Sequence, residues 1–82
     1  MSTNKTIDVA KTGANIKRLC AERKLKASDL VYEMQISAPA VYKWLNGESL
    51  PSIDNMIRLG DLLGVTIDEI VVTSDDNSEV GE

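Results

Sequence analysis

Residues 37–47 read Ser-Ala-Pro-Ala-Val-Tyr-Lys-Trp-Leu-Asn-Gly, and this stretch decides the fold. Ser37 is a strong helix N-cap residue, and Pro39 follows in the first turn, where an N–H group would have no intrahelical acceptor. Asn46-Gly47 supplies a residue that adopts the left-handed conformation at the end of a helix. The stretch therefore predicts one short helix over residues 38–45.

The two faces of this helix differ in chemistry. Trp44 lies three residues after Val41, so we interpret it as a core residue rather than as a side chain that stacks on an unpaired base. The predicted inward face is Val41, Trp44 and Leu45. The predicted outward face is Ala38, Pro39, Tyr42 and Lys43, with Ala40 at its flank.

A second short helix precedes this one. Leu30, Val31 and Met34 form its apolar side within residues 27–34, and only residues 35–37 separate the two helices. A link of three residues permits only a sharp helix–helix corner. Such a unit can place its second helix in the major groove of DNA, although any small helical domain contains similar corners.

The rest of the chain repeats the helical spacing of apolar residues, and strand signals are nearly absent. We predict a first helix from the N-cap Thr12 to about residue 24, and a fourth that follows Ser52 and ends at Gly64. Thr66 and Glu69 fit a capping box that starts a fifth helix. The predicted apolar stripe of the fourth helix is Ile53, Met56, Ile57, Gly60 and Leu63, and Leu59 and Leu62 widen it. The predicted fold is all-α, a compact bundle of five short helices.

Composition narrows the function. The 82 residues allow one domain, and no apolar run is long enough to span a membrane, so we expect a cytoplasmic protein without a membrane partner. Histidine is absent and Cys20 is the single cysteine, which excludes His-based catalytic triads and an internal disulfide framework. No phosphate loop or metal-ligand cluster appears, so we expect no enzyme, metal, cofactor or small-molecule substrate. We interpret Cys20 as a buried apolar residue.

Charge is unevenly distributed along the chain. The formal net charge is −4, but the last ten residues hold four acidic residues and no basic one, while the rest carries nine of each sign. Six of the nine basic residues lie in residues 11–26. We predict a flexible arm over residues 1–11, a domain over residues 12–72 and an acidic, disordered tail over residues 73–82. The tail either solubilises the protein or competes with phosphate as an autoinhibitory arm.

Residues 13–71 resemble the Cro/C1-type (Xre-like) helix-turn-helix family of small bacterial and phage DNA-binding regulators. The resemblance is carried by residues 15–19, Leu25, Leu30, residues 36–37, 41–47, 50–56 and 62–70. It implies a lambda-repressor-like DNA-binding fold with the helix-turn-helix at helices two and three. It also implies that residues 38–45 are the recognition helix.

The chain departs from the family pattern at several positions. Ala27 stands where many members carry a glutamine that contacts phosphate, and Gln35 where many carry glycine in the turn. Glu48 replaces a frequent basic residue and would repel phosphate. Cys20 and Leu45 occupy positions that many members fill with an Arg–Glu ion pair, and two apolar groups can replace such a pair without loss of stability.

The resemblance implies a sequence-specific transcriptional regulator, with a repressor favoured, that binds double-stranded DNA. The few basic residues, and the lack of an outward Gln or Arg on the recognition helix, predict modest affinity for one copy, so binding strong enough to regulate would need a homodimer on two half-sites. The candidate base contacts are Ala38, Pro39, Ala40, Tyr42 and Lys43. The candidate phosphate contacts are Lys17, Lys26, Ala27, Ser37 and Asn46. The competing interpretation of these side chains is helix initiation and a solvated face. The competing function is a protein-interaction module of the same fold, antitoxin-like or anti-repressor, which Glu48 and Ala27 favour.

Overall fold

Five helices lie between two short strands in the computed structural model, which describes residues 5–75. In chain order the elements are β1 (Lys5–Ile7), α1 (Val9–Glu22), α2 (Ala27–Met34), α3 (Ala38–Leu45), α4 (Ile53–Leu63), α5 (Ile67–Ile70) and β2 (Thr73–Asp75). The predicted bundle of five helices is confirmed, and α2 and α3 have the predicted bounds. Within residues 5–75, no helix combines the length and apolarity that crossing a membrane requires.

A single hydrophobic core joins all five helices. Its most deeply buried members are Ile16 of α1, Leu30 of α2, Val41 of α3, Leu59 and Leu63 of α4, and Ile70 of α5. Trp44 and Cys20 are also buried, which confirms both core interpretations. Because every helix contributes to this core, the contacts of the buried side of α3 with the other helices fix its position.

Helix α1 begins four residues earlier than predicted. Its N-cap is Asp8, whose carboxylate accepts a hydrogen bond of 2.8 Å from the Lys11 N–H. This bond lowers the pKa of Asp8. Thr12 is fully buried inside the helix, so its prediction as the N-cap was wrong. Its hydroxyl donates to the Val72 carbonyl at 3.3 Å and accepts from the Val72 N–H at 2.9 Å.

The two strands were not predicted. Strand β1 pairs with β2 in an antiparallel register that places Ile7 opposite Thr73 and Lys5 opposite Asp75. Strand β1 and the start of α1 lie within the expected arm, residues 1–11, and β2 lies within the expected tail, residues 73–82. The remainder of the expected arm and tail, residues 1–4 and 76–82, lies outside the described residues.

The apolar stripe of α4 was partly wrong. Ile53 and Ile57 are 68% and 55% exposed, while the buried side is Met56, Leu59, Gly60 and Leu63. Both sets follow helical spacing and share Met56, Gly60 and Leu63, but Leu59 joins the core of the five helices while Ile53 and Ile57 do not. A Cβ on Gly60 would lie 2.6 Å from the Val65 carbonyl oxygen, so only glycine lets the chain after α4 pack on this side.

Candidate nucleic-acid interface

The turn between α2 and α3 is made by Gln35 in the left-handed region, with φ of 56° and ψ of 45°. Its backbone N–H donates to the Val31 carbonyl, and its side-chain amide donates to the Tyr32 carbonyl at 2.8 Å. A non-glycine residue in this region costs about 1 kcal/mol. These two hydrogen bonds offset part of that cost and hold the sharp corner that the spacing predicts.

The first turn of α3 is capped as predicted. The Ser37 Oγ accepts a hydrogen bond of 3.3 Å from the Ala40 N–H, and Pro39 lies in the same turn. At the other end, Gly47 has a φ of 73°, the left-handed residue that the sequence predicts. Local chemistry therefore fixes both ends of α3, which explains why its bounds follow from the sequence.

Two glycines let α1 cross the end of α3 at close range. A Cβ on Gly13 would clash with the Trp44 carbonyl oxygen, and one on Gly47 would lie 2.7 Å from the Ala10 Cα. Neither position has room for a side chain. With Val41 and Trp44 buried beneath, this contact orients α3 so that its opposite side faces solvent.

That solvent side carries most of the predicted base-contact residues. Pro39, Tyr42, Lys43 and Asn46 are exposed and follow the spacing i, i+3, i+4 and i+7. We refer to these four residues as the α3 stripe. Ala38 is exposed at one side of the stripe and Ala40 is half-buried at the other. Tyr42 is 53% exposed although it is aromatic, so about half of its surface faces solvent.

A shallow cavity adjoins the stripe. It measures about 280 Å³ and opens between α1, the start of α2 and α3. The residues that line it are Lys17, Cys20, Ala21, Leu25, Lys26, Ala27, Tyr42 and Leu45. Lys17 and Lys26 are exposed and bring two positive charges to it. Since Tyr42 belongs both to the cavity and to the α3 stripe, the two form one continuous surface.

The N-terminus of α2 lies at this cavity. The Lys26 N–H donates to the Asp29 carboxylate at 2.7 Å, whereas the next N–H groups, of Ala27 and Ser28, have no acceptor within the helix. These groups point out of the positive end of the helix dipole. Together with Lys17 and Lys26, these donors form the part of the cavity that can bind an anionic oxygen.

Apart from Ala27 and Tyr42, the apolar residues that line this cavity were not among the predicted site residues. Cys20 and Leu45, which stand where many family members carry an Arg–Glu ion pair, both line it. Burial raises the pKa of the Cys20 thiol, so this residue contributes a neutral apolar surface. The small residues Ala21 and Ala27 were the available signal, because small side chains on neighbouring helices leave space between them.

Glu48 adds a negative charge beyond one end of the α3 stripe. It is exposed, and its backbone N–H donates to the Lys43 carbonyl at 2.8 Å. Its negative charge would repel a phosphate group placed beside it. The balance of charge on this surface thus depends on Lys17, Lys26 and Lys43, which are all exposed.

Comparison with known proteins identifies the domain type. Residues 15–76 match the family model of the Cro/C1-type HTH DNA-binding domain. A stretch of 41 residues, 50% of this chain, is 39% identical to the 26 kDa repressor protein of Escherichia phage HK022, and it spans 17% of that protein. No solved structure matches the chain.

Proposed function

Because the chain belongs to the Cro/C1-type helix-turn-helix DNA-binding family, we propose that it is a sequence-specific regulator of transcription that acts as a repressor. The observation that carries this proposal is the continuous surface formed by the α3 stripe and the cavity of Lys17 and Lys26. The resemblance to a phage repressor supports repression rather than activation.

In this proposal α3 enters the major groove with its N-terminal turn toward the base edges. Lys43, in the second turn, donates to the O6 and N7 acceptors of guanine. Tyr42 contacts the adjoining DNA strand. Lys17, Lys26 and the free N–H groups at the start of α2 bind backbone phosphates. The phosphate contacts set the register of the protein on the duplex, and the α3 stripe supplies the sequence preference.

We further propose that two copies bind together. Only three exposed lysines lie on the surface described above, so one copy neutralises few phosphates and binds weakly. Two copies on half-sites one helical turn apart, about 34 Å, would double the contacts. The bound sequence should then be a pseudo-palindrome.

Selection from a random pool of duplex DNA at near-physiological salt tests the proposal. The wild-type chain is expected to enrich one motif, and Lys43→Glu to enrich none. Lys11→Glu is the matched control, because it makes the same charge change at an exposed position on α1, about 120° around the helix from Lys17. Circular dichroism of each variant shows that the helices are retained.

A pseudo-palindromic motif recovered by the wild type and by Lys11→Glu would support the function and the two-copy arrangement. Equal enrichment by Lys43→Glu would contradict the placement of α3 in the groove. No enrichment by folded wild-type protein would overturn the regulator. The protein-interaction module of the same fold would then become the leading function.

A further inference from the structure

The first turn of α3 presents an apolar surface where a recognition helix meets base edges. Ala38 and Pro39 are exposed, and Ala40 is half-buried beside them. Pro39 has no N–H group, and the Ala40 N–H is already bound to the Ser37 Oγ. The side chains of this turn therefore offer methyl and methylene groups, and the polar side chains of the stripe begin one turn later with Tyr42.

The major groove contains one apolar group, the C5 methyl of thymine. Every base also presents hydrogen-bonding atoms there, including O4 of thymine, and these lose water without compensation when alanine or proline covers them. Only thymine adds an apolar contact through its methyl group, so an apolar turn favours thymine over the other bases.

We infer that Pro39, with the exposed Ala38 beside it, selects thymine in the half-site by contacting its C5 methyl group. Pro39 is the central residue, because it shares the α3 stripe with Tyr42 and Lys43. The inference rests on the proposed function and adds which base the first turn prefers. Each half-site then contains thymine opposite the first turn and guanine within reach of Lys43 in the next turn.

Replacing thymine by deoxyuridine removes only the methyl group and tests the inference on the wild-type chain. In the selected duplex, each thymine is replaced in turn, and affinity is measured by fluorescence anisotropy. At one or two positions of each half-site we expect binding to weaken about fourfold per methyl removed. At the other thymines we expect no change.

Two variants assign the effect to its residue. With Pro39→Ser, the thymine and deoxyuridine duplexes should bind equally. Lys43→Gln is the matched control on the same stripe, and it should weaken both duplexes while preserving the ratio between them.

The outcomes separate the inference from the function beneath it. If deoxyuridine leaves wild-type binding unchanged at every position, the inference that the thymine methyl group is recognised is overturned. The proposed function as a DNA-binding regulator is not affected by that result. A ratio retained in folded Pro39→Ser would also overturn it, because another residue would then contact the methyl group. Failure to select any duplex would overturn both. If Pro39→Ser does not fold, the wild-type measurements alone decide whether the methyl group is read.

Discussion

Replacing Lys17 by glutamine should make DNA binding less sensitive to salt. Lys17 and Lys26 line the cavity next to the α3 stripe, and both are exposed. In the proposed complex each binds a backbone phosphate and displaces a condensed counterion. Salt opposes that displacement, so the slope of log affinity against log salt concentration counts the phosphates that the protein neutralises.

The structure sets the expected size of the slope. Each neutralised phosphate contributes about −0.9, so two lysines on each of two bound copies give a slope of about −3.6. Raising salt from about 50 to about 200 mM would then weaken wild-type binding about 150-fold. Lys17→Gln halves the count, so its slope is about −1.8 and its loss over the same interval is about 12-fold.

Fluorescence anisotropy with the selected duplex at several salt concentrations measures this slope. Lys11→Gln is the control, since Lys11 is also exposed on α1 but does not line the cavity. Its slope should equal that of the wild type. Lys26→Gln should behave as Lys17→Gln does.

Equal slopes for the wild type, Lys17→Gln and Lys26→Gln would refute the reasoning, because the cavity would then contact no phosphate. A smaller slope for Lys11→Gln as well would indicate a general effect of net charge. Either result would show that the phosphates are not bound at the start of α2.

Three further predictions concern the folded domain. Thr12→Val keeps the shape of the side chain but leaves the Val72 N–H without its acceptor, so urea unfolding should show a loss of about 1–2 kcal/mol, and Thr12→Ser should lose less. The Cys20 thiol is buried and its pKa is raised, so a thiol reagent should modify it far more slowly in native protein than in urea; equal rates would show that it is accessible. Leu59→Ala should lower the free energy of unfolding by about 2–5 kcal/mol, because the side chain is fully buried. Ile57→Ala should change it by about 0.5 kcal/mol or less, and a loss like that of Leu59→Ala would show that Ile57 is covered.

The helix-turn-helix could be predicted because its signals are local. Ser37, Pro39 and Gly47 fix the ends of α3 within a few residues of where they occur. The spacing of Val41 and Trp44 then assigns the inward face, and the remaining side chains follow. These features depend on backbone conformation and helical geometry, which neighbouring residues determine.

The features that were missed depend on contacts distant in sequence. Thr12 has the chemistry of an N-cap, but Asp8 takes that role because the chain near Val72 returns to bury the threonine. On α4, Ile57 and Leu59 belong to overlapping helical stripes of similar apolarity. Burial of Leu59 in the core that all five helices share selects between them, and the periodicity of one helix does not report that contact.

The cavity beside α3 could be predicted only in part. Lys17, Lys26 and Ala27 were named separately as candidates, and three segments of the chain bring them together with Tyr42. Helical periodicity predicts which side of a helix is polar, but it does not predict the angle at which two helices cross. That angle determines which polar sides share a surface.

The pairing of β1 with β2 brings the two ends of the described residues, 5 and 75, side by side. Lys5 and Asp75 are register partners, so their Cα atoms lie about 5 Å apart. A turn of about two residues could join them, as in a β-hairpin. The domain is thus a natural candidate for circular permutation, in which new ends are opened at the exposed Glu48 while every helix keeps its neighbours.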